Sequence, residues 1–249
     1  MVQNYPIIPS NSIPFITVEQ MIEVDRLMIE EYKISLIQMM ENASHNLAQL
    51  SKTLYPKVKN FIIMAGKGSN GGGGLGAARR LHNWGFTVIV LLASEEASFK
   101  EVPAKQLEIL KKLNIRIYYV EDDFEEIFKQ QEEKTLIIDA LLGYSLKGNP
   151  QGKYAYLANK ANSSNIPVIS LDIPSGIGGK EGLVLEPAIK ADITLTLALP
   201  KTAFLNSTAK RHLGRLFVAD ISVPIELYEE IGVKVEKTLF HRSSIVEIK

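Results

Sequence analysis

The chain has 249 residues, 46% apolar and 22% charged, the proportions of a soluble globular protein and far from disordered or fibrous classes. Its 28 basic residues balance 28 acidic ones, so no global field favours nucleic acid and any anion must be held by a local site. Cysteine is absent, which removes disulfides, thiolate nucleophiles and Cys-ligated metals and is compatible with a reducing, cytoplasmic location. Apolar runs such as Phe86 to Ala93 fall far short of the roughly 20 residues a membrane helix needs, so no membrane association is expected.

Residues 1–14 are polar and proline-bearing, without the basic-then-apolar order of a secretory signal, and read as an extended arm of a single 249-residue domain. Thr17-Val18-Glu19-Gln20 has the pattern of a capping box and predicts a helix start, followed by Met21, Val24, Leu27 and Met28 at helical spacing. A second helix is predicted from Ser35 through Leu50, with its methionines read as core filler. Beyond Pro56 short β-rich runs alternate with helical ones. Strands are predicted at 61–65, 87–92, 115–120, 135–139, 167–172, 193–197 and 216–220, and helices around 74–84, 103–113, 124–130 and 153–162. That alternation implies an α/β fold of three layers, α/β/α and Rossmann-like, with a mostly parallel sheet preceded by N-terminal helices.

In such sheets ligands bind beyond the carboxyl ends of the strands. The first strand runs into Gly66-Lys67-Gly68-Ser69-Asn70-Gly71-Gly72-Gly73-Gly74, with six glycines in nine residues. Glycines let backbone amides approach an anion, and a following helix N-terminus favours negative charge, so Gly68 to Gly74 is expected to be a phosphate-binding turn. A flexible loop is the bland alternative, and it leaves the glycines' entropic cost without a purpose. Two further strands end in Asp139-Ala140-Leu141-Leu142-Gly143 and Leu171-Asp172-Ile173-Pro174-Ser175-Gly176, which brings two carboxylates to the same edge. Each Asp can cap or accept loop amides, act as an acid or base, or join Asn70 and Ser175 as an oxygen ligand of a hard cation. The four histidines are scattered, and Ser175 does not sit in a nucleophile elbow. Lys147 and Lys201 are read by default as solvated lysines following strand ends.

Taken together, these segments resemble the YjeF N-terminal family, whose enzymatic members are NAD(P)HX epimerases. The resemblance spans Gln20-Met21 to Asp25-Arg26, Met40-Glu41-Asn42-Ala43, Gly66 to Leu81, Asp139 to Gly143, Asp172 to Gly176, Pro200-Lys201 and Gly214 to Ile221. It implies interconversion of the R and S forms of NADHX and NADPHX at C6 of the hydrated nicotinamide ring, without net redox. It also implies substrate contacts from Ser69, Asn70, Gly71, Gly72 and Gly73, from Gly143, Tyr144, Ser145, Leu146, Lys147, Gly148 and Asn149, and from Asp172. Asp172 is the expected acid/base, and a potassium ion is expected on Asn70, Asp139 and Ser175. The implied partners are a separate S-specific dehydratase and a second copy in a homodimer. Ser69 and Gly73 depart from the family's usual Asn and acidic residue, which admits a second class of function: a weakly catalytic nucleotide-binding or protein-interaction scaffold of the same fold.

Overall fold

A computed structural model describes residues 5–119, 121–129 and 134–249. Among these, one nine-stranded sheet is built from β1 (Ile7–Ile8), β2 (Asn60–Ala65), β3 (Thr87–Leu92), β4 (Arg116–Tyr118), β5 (Thr135–Ala140), β6 (Val168–Leu171), β7 (Ile193–Leu197), β8 (Arg215–Ala219) and β9 (Ile245–Ile248). Its order is β1-β9-β8-β7-β6-β5-β2-β3-β4. Every pairing is parallel except β8 with β9. The helices are α1 (Val18–Glu30), α2 (Leu36–Leu54), α3 (Ser69–Asn83), α4 (Glu101–Lys112), α5 (Glu125–Lys129), α6 (Gly152–Ser163), α7 (Ser207–Leu213) and α8 (Ile225–Glu230).

The pleat sorts each strand's residues between two layers. Phe61, Ile63 and Ala65 of β2 pack on the side of α2, α3 and α4, where Leu47, Leu75 and Leu107 are buried. Ile62 and Met64 pack on the other side with Leu157 and Ala158 of α6 and Phe124 and Phe128 beside and within α5. Residues of α1 and α8 extend that second side near β8 and β9 through Val24, Met28, Leu227, Val218 and Val246. The strands are therefore apolar on both faces, as parallel strands covered by helices must be.

The N-terminal helices start as the sequence dictates. Thr17 Oγ1 accepts from the Gln20 amide at 3.1 Å, and the Gln20 side chain accepts from the Thr17 amide at 2.9 Å, a reciprocal capping box. Ser35 and Gln38 repeat it at α2.

Several boundaries differ from the expectations. β4 stops at Tyr118, and Val120 and Gln130 lie outside the described residues. Two strands were not anticipated, β1 in the N-terminal arm and β9, which run parallel to each other at the sheet edge. The larger difference lies in the glycine-rich segment. Of the turn expected at Gly68 to Gly74, only Gly68 stands outside the helix, as its N-cap, and Ser69 to Gly74 form the first turns of α3.

Packing explains why those turns carry glycine. A Cβ on Gly74 would sit 2.5 Å from the Ala140 Cβ, and one on Gly73 would sit 2.7 Å from Leu171 Cδ2. On Gly72 it would meet the Met40 side chain, on Gly76 the Ser44 hydroxyl, and on Gly71 the Gly66 carbonyl oxygen. The helix thus lies against β5, β6 and α2 with no side chain of its own at these positions, and the glycines serve close approach as well as any ligand. Gly71→Ala is expected to lower unfolding free energy by about 3 kcal/mol or more, since the obstacle is backbone and cannot rotate away. Gly68→Ala, with nothing within 4 Å, should stay within about 1 kcal/mol of wild type; urea titrations of both variants check the contrast.

Candidate active site

The order of strands reverses between β2 and β5: β3 and β4 continue on one side of β2, and β5 to β8 on the other. Such a switch point leaves a crevice at the carboxyl ends of the strands. A cleft of about 350 Å³ lies there, within the size range of small-molecule sites. Its walls are Lys67 to Asn70 and Gly73 from the start of α3, Leu141 to Ser145 after β5, Leu171 and Asp172 after β6, and Leu197 of β7. Met21, Asp25, Met39 and Met40 of α1 and α2 close it from the N-terminal side. These methionines are buried core residues, and they also give the cleft an apolar wall.

The helix end at the floor of the cleft suits an anion. Gly68 offers α3 no side-chain cap, and the first turn holds no acidic residue, so the leading amides and the positive end of the helix dipole remain for a ligand.

Asp172 follows β6 in a left-handed backbone conformation, φ +65°, uncommon outside glycine and tolerated best by Asp and Asn. Its Oδ1 accepts from Lys201 Nζ at 2.5 Å, and the Leu197 amide and Thr196 hydroxyl lie at 3.3 and 3.4 Å. Lys201 Nζ also donates to Leu197 O at 2.8 Å and to Thr196 Oγ1 at 3.1 Å. Oδ2 receives no hydrogen bond from the described residues, so one carboxylate oxygen is anchored and the other is left for the cleft. Lys201 is 0% exposed, which corrects its reading as a solvated lysine: the Asp172 carboxylate compensates its burial.

Asp139 is wholly buried at the end of β5, yet well provided with donors. Ser175 Oγ at 2.6 Å and the Leu141 amide at 3.2 Å bond Oδ1; the Ser175 amide at 2.9 Å and Ser170 Oγ at 2.8 Å bond Oδ2. Burial nonetheless pushes its carboxyl above the ordinary range, with Ser175 the leading counterweight. Asn70 Nδ2 donates to Leu142 O at 2.9 Å, and Ser175 Oγ approaches the same carbonyl at 3.4 Å, so Asn70, Asp139 and Ser175 are tied into one oxygen-rich cluster.

On the opposite wall the Tyr144 hydroxyl donates to Asp25 Oδ2 at 2.7 Å. Burial raises the Tyr144 phenol, and the neighbouring carboxylates of Asp25 and Asp172 add to that. Asp25 belongs to the resembling segment but carries no expected role, because its contact with Tyr144 spans 119 residues.

Of the other expected contacts, Ser69, Asn70, Gly73, Gly143, Tyr144 and Ser145 line the cleft. Gly71 and Gly72 pack against Gly66, Met40 and Pro103 and do not line it. Leu146, Lys147, Gly148 and Asn149 lie beyond its lining, the last three exposed. Among the histidines, His212 bonds the Ile189 carbonyl and His45 stacks edge-on against Trp84. Among the described residues no three His, Asp or Glu side chains gather as a metal site, and no helix is long and apolar enough to cross a membrane.

The family described as YjeF-related protein N-terminus matches residues 36–203. An NAD(P)H-hydrate epimerase of Dehalogenimonas lykanthroporepellens is 37% identical over 94% of this chain and 92% of its own. A bifunctional NAD(P)H-hydrate repair enzyme, Nnr, of Thermofilum pendens is 34% identical over 86% of this chain, which covers 41% of that protein. The crystal structure of yeast ynu0 superposes with a TM-score of 0.78 over 94% of this chain and 99% of the yeast chain at 21% identity, a likeness of fold.

Proposed function

The chain belongs to the family of YjeF-related protein N-termini, and from that premise and the chemistry of the cleft we propose that it is an NAD(P)H-hydrate epimerase, interconverting the R and S forms of NADHX and NADPHX. The observation that carries this reading is Asp172: a buried carboxylate with one oxygen clamped by Lys201 and the other turned to a cleft at the switch point. Epimerisation at C6 needs a group that exchanges a proton with the C6 hydroxyl, and no electron leaves the substrate. A fixed carboxylate with a free oxygen is suited to that exchange. The uncapped start of α3 offers its amides to the dinucleotide's phosphates, and the methionine wall offers apolar surface to the ring.

The departures at Ser69 and Gly73 both lie in the cleft lining, and Gly73 faces Leu171 with no room for a side chain unless that leucine shifts. They bear on how substrate is held and leave the Asp172–Lys201 pair intact. Pure R-NADHX incubated with this protein and an S-specific dehydratase is expected to regain NADH absorbance, because the dehydratase draws only on the S form that this chain supplies. No recovery above a control without the protein would reject the epimerase and favour the scaffold reading.

A potassium ion belongs to the same proposal, held by Asn70, Asp139 and Ser175. The donors are oxygens carrying a single negative charge when Asp139 is ionised, which suits a hard monovalent cation, and a cation there would favour the ionised form that burial of Asp139 opposes. Bound there, the ion would fix the Leu141–Gly143 segment beside the substrate. Replacing potassium by tetramethylammonium is expected to lower both turnover and melting temperature, and unchanged values in both would dismiss the ion.

A homodimer completes the proposal. Ile22 and Ile29 are 53% and 44% exposed and seven residues apart on α1, so they share one outward face on which a second copy can pack. Sedimentation is expected to give a dimer, and a monomer at every concentration would refute it.

A further inference from the structure

We infer that Asp25, held by Tyr144, is a second catalytic acid/base of the cleft and exchanges a proton with the substrate alongside Asp172; this rests on the epimerase reading. Asp25 sits on the inward side of α1 beside Met21, Val24 and Met28, which are 3%, 0% and 0% exposed. An apolar side chain would suit that helix face better, since a carboxylate there gives up solvation. Its neighbour Arg26 turns outward to Glu23 and Glu30 and gives Asp25 no ion pair. The groups that face Asp25 are Tyr144 from the segment after β5, Asp172 from the end of β6 and Lys201 after β7. Tyr144 occupies Oδ2, while Oδ1 receives no hydrogen bond from the described residues, and Asp25 is one of the residues lining the cleft. Burial, with a smaller contribution from Asp172, raises the Asp25 carboxyl above the ordinary range, against the Tyr144 hydrogen bond.

Two carboxyls in unlike settings, one ion-paired and one not, are the arrangement by which one site supplies an acid and a base together. The reaction uses both. The acid donates a proton to the C6 hydroxyl; the C6–O bond breaks and its electron pair leaves with water; the ring nitrogen's lone pair forms the N1=C6 double bond. Water then adds to the opposite face of C6, its oxygen lone pair forming the new C6–O bond while the N1=C6 pair returns to nitrogen, and the base accepts the released proton. Atoms and electrons balance, and the roles exchange in the reverse direction. With Asp25 as the acid and Asp172 as the base, turnover should fall as pH rises through the raised Asp25 value and the carboxyl ionises.

The test measures R-NADHX epimerisation, coupled to an S-specific dehydratase, for wild type, Asp25→Asn and Tyr144→Phe, with binding of unreactive NADPH and melting temperature alongside. Asp25→Asn is expected to lose about 10²–10⁴ in turnover with much less change in NADPH affinity. Tyr144→Phe should move this fall in turnover to higher pH, because the lost hydrogen bond had favoured the ionised carboxyl. Turnover within threefold of wild type in Asp25→Asn, or losses of turnover, affinity and melting temperature in step, would overturn the inference. If Asp25→Asn does not fold, the Tyr144→Phe profile decides, and an unmoved high-pH limb overturns it. An inactive wild type removes the epimerase reading and this inference with it, an outcome distinct from an active wild type with an active Asp25→Asn.

Discussion

Asp172→Asn is expected to cut single-turnover epimerisation by about 10²–10⁴-fold, the usual range for loss of a general acid or base. The reason lies in the unequal roles of its two oxygens. Oδ1 is held by Lys201, with Thr196 and the Leu197 amide nearby, so the amide oxygen of Asn takes that place and the NH₂ group falls where Oδ2 meets the cleft. Shape and most hydrogen bonds survive, but the acceptor facing the substrate becomes a donor. Lys201 keeps an acceptor and loses its counter-charge, so melting temperature should also fall, and turnover must be compared well below it. A purely structural Asp172 predicts a different pattern, in which affinity and turnover decline together with stability. Wild-type turnover in Asp172→Asn, with the protein folded, would end the acid/base assignment.

How much of this site was legible beforehand depended on the range of the interaction involved. Strands such as 61–65 and 193–197 declare themselves locally, because residues buried on both faces must be apolar and β-branched side chains fit the pleat. The carboxyl-edge rule then places Asn70, Gly143 and Asp172 around one crevice without any structure. The sequence pattern places the start of α3 near residue 74, five residues beyond Ser69, since glycine's poor helix propensity argues for a loop. The packing of Gly73 and Gly74 against Leu171 and Ala140 overrides that propensity, and it is tertiary information. β9 was hidden for a related reason: it is four residues long and includes Glu247, whose side chain pairs with Arg215, 32 positions away, at 2.9 Å. The functional meaning of Lys201 and Asp25 was equally non-local, resting on partners 29 and 119 positions distant. A lysine following a strand gives no local sign that it will be buried.

That buried lysine yields the second large effect. Lys201→Met is expected to cost about 3–5 kcal/mol of stability, the range for breaking a buried ion pair from one side, because Asp172 would stay at 5% exposure without its counter-charge. The methionine chain fills much of the space of the lysine stem, so lost charge compensation outweighs lost packing. The pair is best tested by a cycle with Asp172→Asn. Once Asp172 is neutral, removing the ammonium leaves no opposite charge stranded, so the double variant should be more stable than the summed single effects predict by about 1–3 kcal/mol. Strict additivity in urea unfolding would mean that the two groups do not sense each other, despite their 2.5 Å contact. Turnover adds a readout that stability alone does not move. Lys201 touches the oxygen of Asp172 remote from the cleft, and it helps hold a backbone at φ +65° that few residues adopt. As a positioning residue, its loss should lower kcat more than it weakens binding of NADPH, since the start of α3 that we propose holds the phosphates is untouched. Equal loss in both would return Lys201 to a purely structural role and leave Asp172 to hold its own place.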